Sequence, residues 1–331
     1  MGIKNYSKNL IQEEPSIKNR NYDCTLIDCN YLIHYLIYGC LNQSDFDKKV
    51  YNYFNYLFEV IDVKNIIYLV FDGKYDKKFK VNPKQETIKN RCKYTKPSNN
   101  FDKQEIKPKS KIILDFKNSL INILEQIKKI NKKKFMVEIN DDYIEGEADI
   151  KILDIIYSSF YDNFCIISKD TDMVMISYSL ILKKNKINID ILFNLRPILF
   201  IDINKIIKKY NIFDKDYILL LFLLGNDFLP SVSNINYDIL IETYEKYILH
   251  NNKKIINKDK INLDNFNLFI TYYIIIKNIK YKYKQINNIR FNNYYNNIIW
   301  TLNYYKIIDN KIDYISDNIN NVINIYNFIN N

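Results

Sequence analysis

Five short apolar runs, each bounded by polar residues, set the tightest limit on what this chain of 331 residues can fold into. They are Thr25 to Ile27, Ile66 to Phe71, Phe135 to Ile139, Phe164 to Ile167 and Ile198 to Ile201. Runs of this length predict strands buried on both faces. Between them apolar residues recur at helical spacing over about 30–40, 46–62, 84–95, 110–130, 147–158 and 214–225,. Such alternation predicts an α/β domain on a largely parallel central sheet. Past Pro230 the pattern turns helical, at about 237–249 and 263–277, which predicts a helical extension and no second sheet. The expected division is a core over residues 1–235 and an extension over 236–331. No internal repeat is visible, and "PSNNFDKQEIKP", Pro97 to Pro108, reads as an exposed loop,.

In a parallel sheet, ligands collect beyond the carboxyl ends of the strands. Acids follow those ends here: Asp28 in "TLIDCN", Asp72 in "IIYLVFDG", and Asp170 with Asp172 in "SKDTDM". Glu145, Glu147 and Asp149 open a helix in "IEGEADIKIL", and Asp227 ends an apolar helix in "LLLFLLGNDFLP". Any one of them is most simply a turn former or a helix cap. Their number argues for more. The chain has only 5 glycines, and three of them, Gly73, Gly146 and Gly225, sit beside these acids. Glycine kept at such points signals a positive φ or a close backbone approach.

Clustered carboxylates repel one another unless a cation neutralises them, so the set reads as a divalent-metal site. Oxygen-only ligands favour Mg²⁺ or Mn²⁺ over Zn²⁺. Two such ions about 4 Å apart activate a water on one side of a phosphodiester and stabilise the leaving oxygen on the other. Two other readings of "DTD" stay open: the Asp-x-Asp of a glycosyltransferase and the nucleophile-acid pair of an aspartyl phosphatase. Neither accounts for Asp28, Asp72, Glu145, Glu147 and Asp227 together.

Composition bears on the partner. Lys+Arg total 48 against 38 for Asp+Glu, and the resulting +10 favours a polyanion such as nucleic acid,. Lys80, Lys84, Lys89 and Arg91 recur at roughly helical spacing after Asp72, either as a solvated basic face or as a phosphate-gripping surface,. Hydrophobic residues at 47% and aromatics at 15% exclude a disordered chain,. The longest apolar runs, Tyr217 to Leu224 and Leu268 to Ile276, fall short of the ~20 residues of a membrane-spanning helix, so no membrane partner is expected,. "MGIKNYS" has Tyr6 where a myristoylation signal needs Ser or Thr, and no signal peptide is recognisable,. Five cysteines without a CxxC pair read as reduced thiols in a cytoplasmic protein,. Heavy use of Asn, Ile, Lys and Tyr reflects A/T-rich codons, as in a parasite or a virus, and a viral origin would place the chain in a viral factory or virion. His34 by itself reads as a packed helix residue, and Trp300 as core,.

Taken in order, "IDCNYLIH", "VFDGK", "EGEAD", "SKDTDM" and "GNDFLP" resemble the metal-dependent 5′ nucleases related to flap endonucleases, and among them the Xrn 5′→3′ exoribonucleases. "LLFLLGNDFLP" is the most specific match, since flap endonucleases carry a glycine-rich helix-two-turn-helix near that point. "FNLRPILFIDINKIIKKY", "NYDILIETYEKYI", "INLDNFNLFI" and "IIWTLNYYK" also resemble Xrn segments, so the likeness runs along most of the chain.

The resemblance implies a PIN-like, flap-nuclease-like three-layer domain with a helical C-terminal extension. It implies Mg²⁺-dependent degradation of single-stranded RNA, or of DNA in a flap-type nuclease, with Asp28, Asp72, Glu145, Glu147, Asp170, Asp172 and Asp227 as metal-binding acids. A non-catalytic RNA-binding protein on the same fold is the distant alternative. By the same resemblance His34 stacks on a nucleobase, and Lys80, Lys84 or Gln85, Lys89 and Arg91 lie where Xrn enzymes hold the 5′-phosphate. The family's dense arginine run and its later Trp- and Tyr-rich segment are absent, so the chain resembles the catalytic half alone.

Overall fold

A computed structural model describes residues 20–73, 106, 108–184, 186–209, 214–226, 228–229, 231–233, 235–277, 288–307 and 323–324. Of these, the residues up to Asn204 form one compact unit and those from Lys205 onward a second. The division falls after Asn204, where the sequence reading puts its boundary at residue 235.

The first unit is built on a six-stranded sheet of β1 (Arg20–Asp28), β2 (Ile61–Val70), β3 (Met136–Asn140), β4 (Asn163–Ile167), β5 (Asn188–Leu195) and β6 (Ile198–Asp202). Their spatial order is β3-β2-β1-β4-β5-β6. All neighbours are parallel except β5 and β6, which form an antiparallel pair at the edge. The connections are helical: α1 (Cys29–Leu36) and α2 (Gln43–Val60) after β1, α3 (Lys111–Ile130) before β3, α4 (Ala148–Ser158) before β4, and α5 (Asp172–Lys183) before β5.

Strand periodicity sorts the helices onto two faces. Ile27, Leu69, Cys165, Ile167 and Leu192 join one core cluster with α1, α2 and α3. Their strand neighbours Leu26, Val70, Ile166 and Ile191 are equally buried but lie outside that cluster, on the face where α4 contacts β1 and β2 and α5 contacts β5,. The result is the expected three-layer α/β architecture. α3 shows why a helix forms: Ser110 caps its start, and Ile113, Phe116, Leu120, Ile123, Leu124 and Ile127 make one buried stripe,.

Within this unit α5 and β5 escape the sequence reading, for a common reason. In α5 every residue from Asp172 to Leu180 is buried, so the helix has no polar face and its periodicity vanishes,. β5 alternates less than a half-exposed strand would because both faces of the sheet are covered,.

α6 (Ile203–Lys209) runs across the division, and the second unit continues with α7 (Asp214–Leu223), α8 (Tyr237–Thr243), a π-helical segment over Tyr244–Leu249, α9 (Leu263–Ile276) and α10 (Asn288–Tyr304). Buried Asp216 organises it, accepting hydrogen bonds from Tyr244 Oη and the amides of Ile255 and Ile256 at 2.5 to 2.8 Å. Trp300 is core as expected, against Phe228 and Tyr304. The unit is not purely helical. A parallel pair, β7 (Val232–Ser233) with β10 (Ile323–Asn324), and an antiparallel pair, β8 (Ile256–Asn257) with β9 (Lys260–Ile261), correct the expectation of no second sheet. No helix among the described residues is long and apolar enough to cross a membrane. Cys24, Cys29, Cys40 and Cys165 are buried free thiols.

Candidate metal and nuclease site

Parallel pairing brings the ends of β2, β1 and β4 side by side on one edge of the sheet. Val70 is in register with Asp28, and Ile27 with Ile167. Asp28 therefore ends the central strand, Asp72 lies two residues beyond its neighbour's end, and Asp170 three residues beyond the other's. The three acids therefore lie at or beyond the carboxyl ends of three adjacent strands, at one edge of the sheet.

Each acid is held. Asp28 caps α1 through the Tyr31 amide (3.0 Å) and accepts from Ser168 Oγ at 3.0 Å. Ser168 Oγ also accepts from the Asp170 amide at 3.2 Å, so one hydroxyl ties two of the acids together. Asp170 in turn accepts from the Asp172 amide at 3.0 Å, closing the first turn of α5. Asp72 accepts from Asn30 Nδ2 (2.5 Å) and from the Ala148 amide (2.7 Å) at the N-terminus of α4, whose dipole favours the negative charge,. Burial pushes the Asp28 carboxyl up to about 7, and the charges of Asp72 and Asp170 push the same way against the opposing bonds from Tyr31 and Ser168,. Asp28 thus feels both neighbouring carboxylates.

The glycines behave as the acids around them require. A Cβ on Gly73 would fall 1.7 Å from the Ile144 carbonyl oxygen, so only glycine lets the Asp72 turn close on the 141–147 loop. Gly73 N donates to Gly146 O at 2.8 Å, and Gly146 itself has φ +104°, where a side chain is strained,.

The other predicted residues divide. Glu147 is buried and precedes α4, next to the amide that binds Asp72, while Glu145 is exposed on the same loop. Asp172 is buried at the start of α5. His34 is exposed on α1, six residues past Asp28 and so about 9 Å further along the helix axis,. Asp227, Lys80, Lys84, Gln85, Lys89 and Arg91 lie outside the described residues. Among the described residues no three His, Cys, Asp or Glu side chains converge as a metal-binding group. Sequence reasoning missed Asn30, Ser168, Lys117 and Lys151, which hold the acids or their loops. Ser168 and Asn30 were within reach of it, as polar residues flanking the strand-end acids.

An α/β domain that lines up carboxylates beyond three adjacent parallel strands belongs to the class of proteins that bind ligands at the carboxyl edge of a sheet. The family can be stated more closely. Residues 1–192, more than half of the chain, match the family described as XRN 5′-3′ exonuclease N-terminus, and the chain belongs to that family. It is 23% identical over 345 aligned residues to 5′-3′ exoribonuclease 1 of Saccharomyces cerevisiae, covering 82% of this chain and 22% of that protein. The chain thus spans about a fifth of that relative's length. Among solved structures it is similar to the catalytic core of Rad2 in complex with DNA substrate (TM-score 0.45, 14% identity, covering 85% of this chain and 82% of that one). It is also similar to a bacteriophage T5 flap endonuclease in complex with DNA and metal ions (TM-score 0.39, 13% identity, covering 78% and 89%).

Proposed function

We propose that this chain is the nuclease core of a metal-dependent 5′→3′ exoribonuclease that degrades single-stranded, 5′-monophosphate RNA to mononucleotides. One observation carries the reading: in a chain of the XRN family, Asp28, Asp72 and Asp170 lie at the ends of three adjacent parallel strands, and Ser168 ties Asp28 to Asp170. The donor chemistry fits Mg²⁺ or Mn²⁺, being carboxylate oxygen only, and a cation there would relieve the repulsion that clustered carboxylates exert. Asp28, Asp72 and Asp170 would hold the first ion, with Glu145, Glu147, Asp172 and Asp227 completing a two-ion set. Bound there, the ions supply an activated water and a stabilised leaving oxygen.

The chain's own groups then have separate duties. Ser168 and Asn30 orient Asp28 and Asp72, and the Ala148 amide at the N-terminus of α4 holds Asp72 from the other side. His34 stacks beneath a terminal base, using its π face. Lys80, Lys84, Gln85, Lys89 and Arg91 hold the 5′-phosphate through charge-assisted bonds, which an RNA with a 5′-hydroxyl forfeits.

The test is one RNA sequence carrying a 5′-monophosphate, hydroxyl, triphosphate or cap, beside the matched DNA and a circular RNA, each with Mg²⁺, Mn²⁺ or EDTA. The 5′-monophosphate RNA should release mononucleotides fastest, EDTA should stop it, and Lys84→Ala or Arg91→Ala should narrow the advantage. Equal rates on all four ends, or cutting of the circle, would return the choice to an endonuclease. Preference for the DNA strand would favour the flap-type reading.

A further inference from the structure

Lys151 lies on α4, one turn past Glu147, and is buried with only 5% of its surface exposed. Its ammonium donates to the carbonyl of Phe71 and to the carbonyl of Asp141, both at 2.9 Å. The first carbonyl belongs to the residue before Asp72, and the second opens the loop that carries Glu145 and Glu147. Nζ would also lie 3.2 Å from a Cβ on Gly73, so it sits directly against the Asp72 turn. Burial pulls the Lys151 pKa down, and the charges of Asp72, Asp141 and Asp142 oppose that pull. A second buried lysine, Lys117, pairs with Asp142 and bonds Asp141 at 3.5 Å, pinning the start of the same loop from α3.

A buried charge with no solvent around it is costly unless hydrogen-bonded acceptors and opposite charges surround it. A lysine here is therefore a poor choice for packing alone. Two carbonyls on two different segments are what this ammonium joins, and those segments deliver the acids of the candidate site. We infer that Lys151 is a positioning residue of the metal site: it clasps the Asp72 turn to the 141–147 loop and so sets the spacing of Asp72 and Glu147. This rests on the metal reading of the carboxylates.

Two roles for Lys151 predict opposite signs. As a mere nearby positive charge it would repel a divalent cation, and its removal would tighten cation binding. As the clasp it holds the ligands in place, and its removal loosens binding. Outer-shell partners of metal ligands are worth about 10–100-fold in metal affinity. The experiment is a Mn²⁺ titration of wild type, Lys151→Met and Lys151→Arg, read by the rise in melting temperature without any RNA. Lys151→Met should need about tenfold more Mn²⁺ or above for half of the rise, and Lys151→Arg, which keeps the charge and its donors, should stay nearer to wild type. If Lys151→Met does not melt cooperatively, Lys151→Gln, which retains one donor, takes its place in the same titration.

Steady-state turnover on 5′-monophosphate RNA at saturating Mn²⁺ supplies the second readout, where kcat should fall in the neutral variants with KM little changed. Tighter or unchanged Mn²⁺ binding in the neutral variant would overturn the inference. A wild type stabilised by Mn²⁺ that cuts no RNA would refute the exoribonuclease reading and leave the clasp standing. A wild type indifferent to Mn²⁺ would remove both.

Discussion

Replacing Asp28 by Asn tests whether the strand-end acids form a repelling cluster in the absence of metal. The Asp28 carboxyl is raised from 3.8 to about 7 in the folded chain, first by burial and then by Asp72. Below pH ~4 it is protonated in both the folded and unfolded states and has no effect on the balance. Between ~4 and ~7 the unfolded chain releases the proton while the folded chain retains it, so folded stability falls as pH rises. Above ~7 the loss is complete. At ~1.4 kcal/mol per pH unit the gap sets a ceiling of ~4 kcal/mol. Asp28 keeps part of its surface in water, which screens the charge and brings the expected effect to about 2 kcal/mol. Asn caps a helix as well as Asp, so the bond from the Tyr31 amide is not forfeited,. Asp28→Asn should therefore match wild type at pH 4 and exceed it by about 2 kcal/mol at pH 8 in EDTA, by urea unfolding. Saturating Mn²⁺ should close or reverse that gap, since the cation offsets the repulsion in wild type alone. A stability difference that does not change from pH 4 to pH 8 would refute the argument.

Three further outcomes are expected. Asp170→Asn should abolish cleavage in the presence of Mn²⁺ yet melt within a few degrees of wild type because it keeps an acceptor for the Asp172 amide, whereas Asp170→Ala should also lose about 1 kcal/mol,; turnover by both variants would sink the metal reading. His34→Phe should keep most activity on RNA and His34→Ala lose about 1–3 kcal/mol of binding, read from KM, because stacking uses the π face; equal loss in both would exclude stacking. Gly73→Ala should destabilise the fold by about 1–3 kcal/mol by denaturant and weaken Mn²⁺ stabilisation, since its Cβ meets the Ile144 carbonyl,; an unperturbed Mn²⁺ response would show that the Asp72 turn does not need that close approach.

What local pattern could decide, it decided. Apolar runs ended by Asp28, Asp72 and Asp170 identify strands and the edge where they end, because a strand's length and its terminating residue are both encoded within a few positions. Glycine next to an acid is legible for the same reason: the backbone of Gly146 and the contact of Gly73 are requirements of one turn. α5 was not legible, since a helix buried on every side has no period to read. Nor was it legible which acid each polar neighbour would hold. Ser168 joins Asp28 to Asp170 only because β1 and β4 are neighbours in register, although 140 residues separate Ser168 from Asp28. Lys151 reaches Phe71 across 80 residues because α4 packs on the face beneath β2, and nothing in its own neighbourhood distinguishes it from a solvated lysine. Residue types and local turns are properties of a segment; which charges are buried, and against whom, is a property of the packing, because burial and pairing arise only when distant segments share a surface.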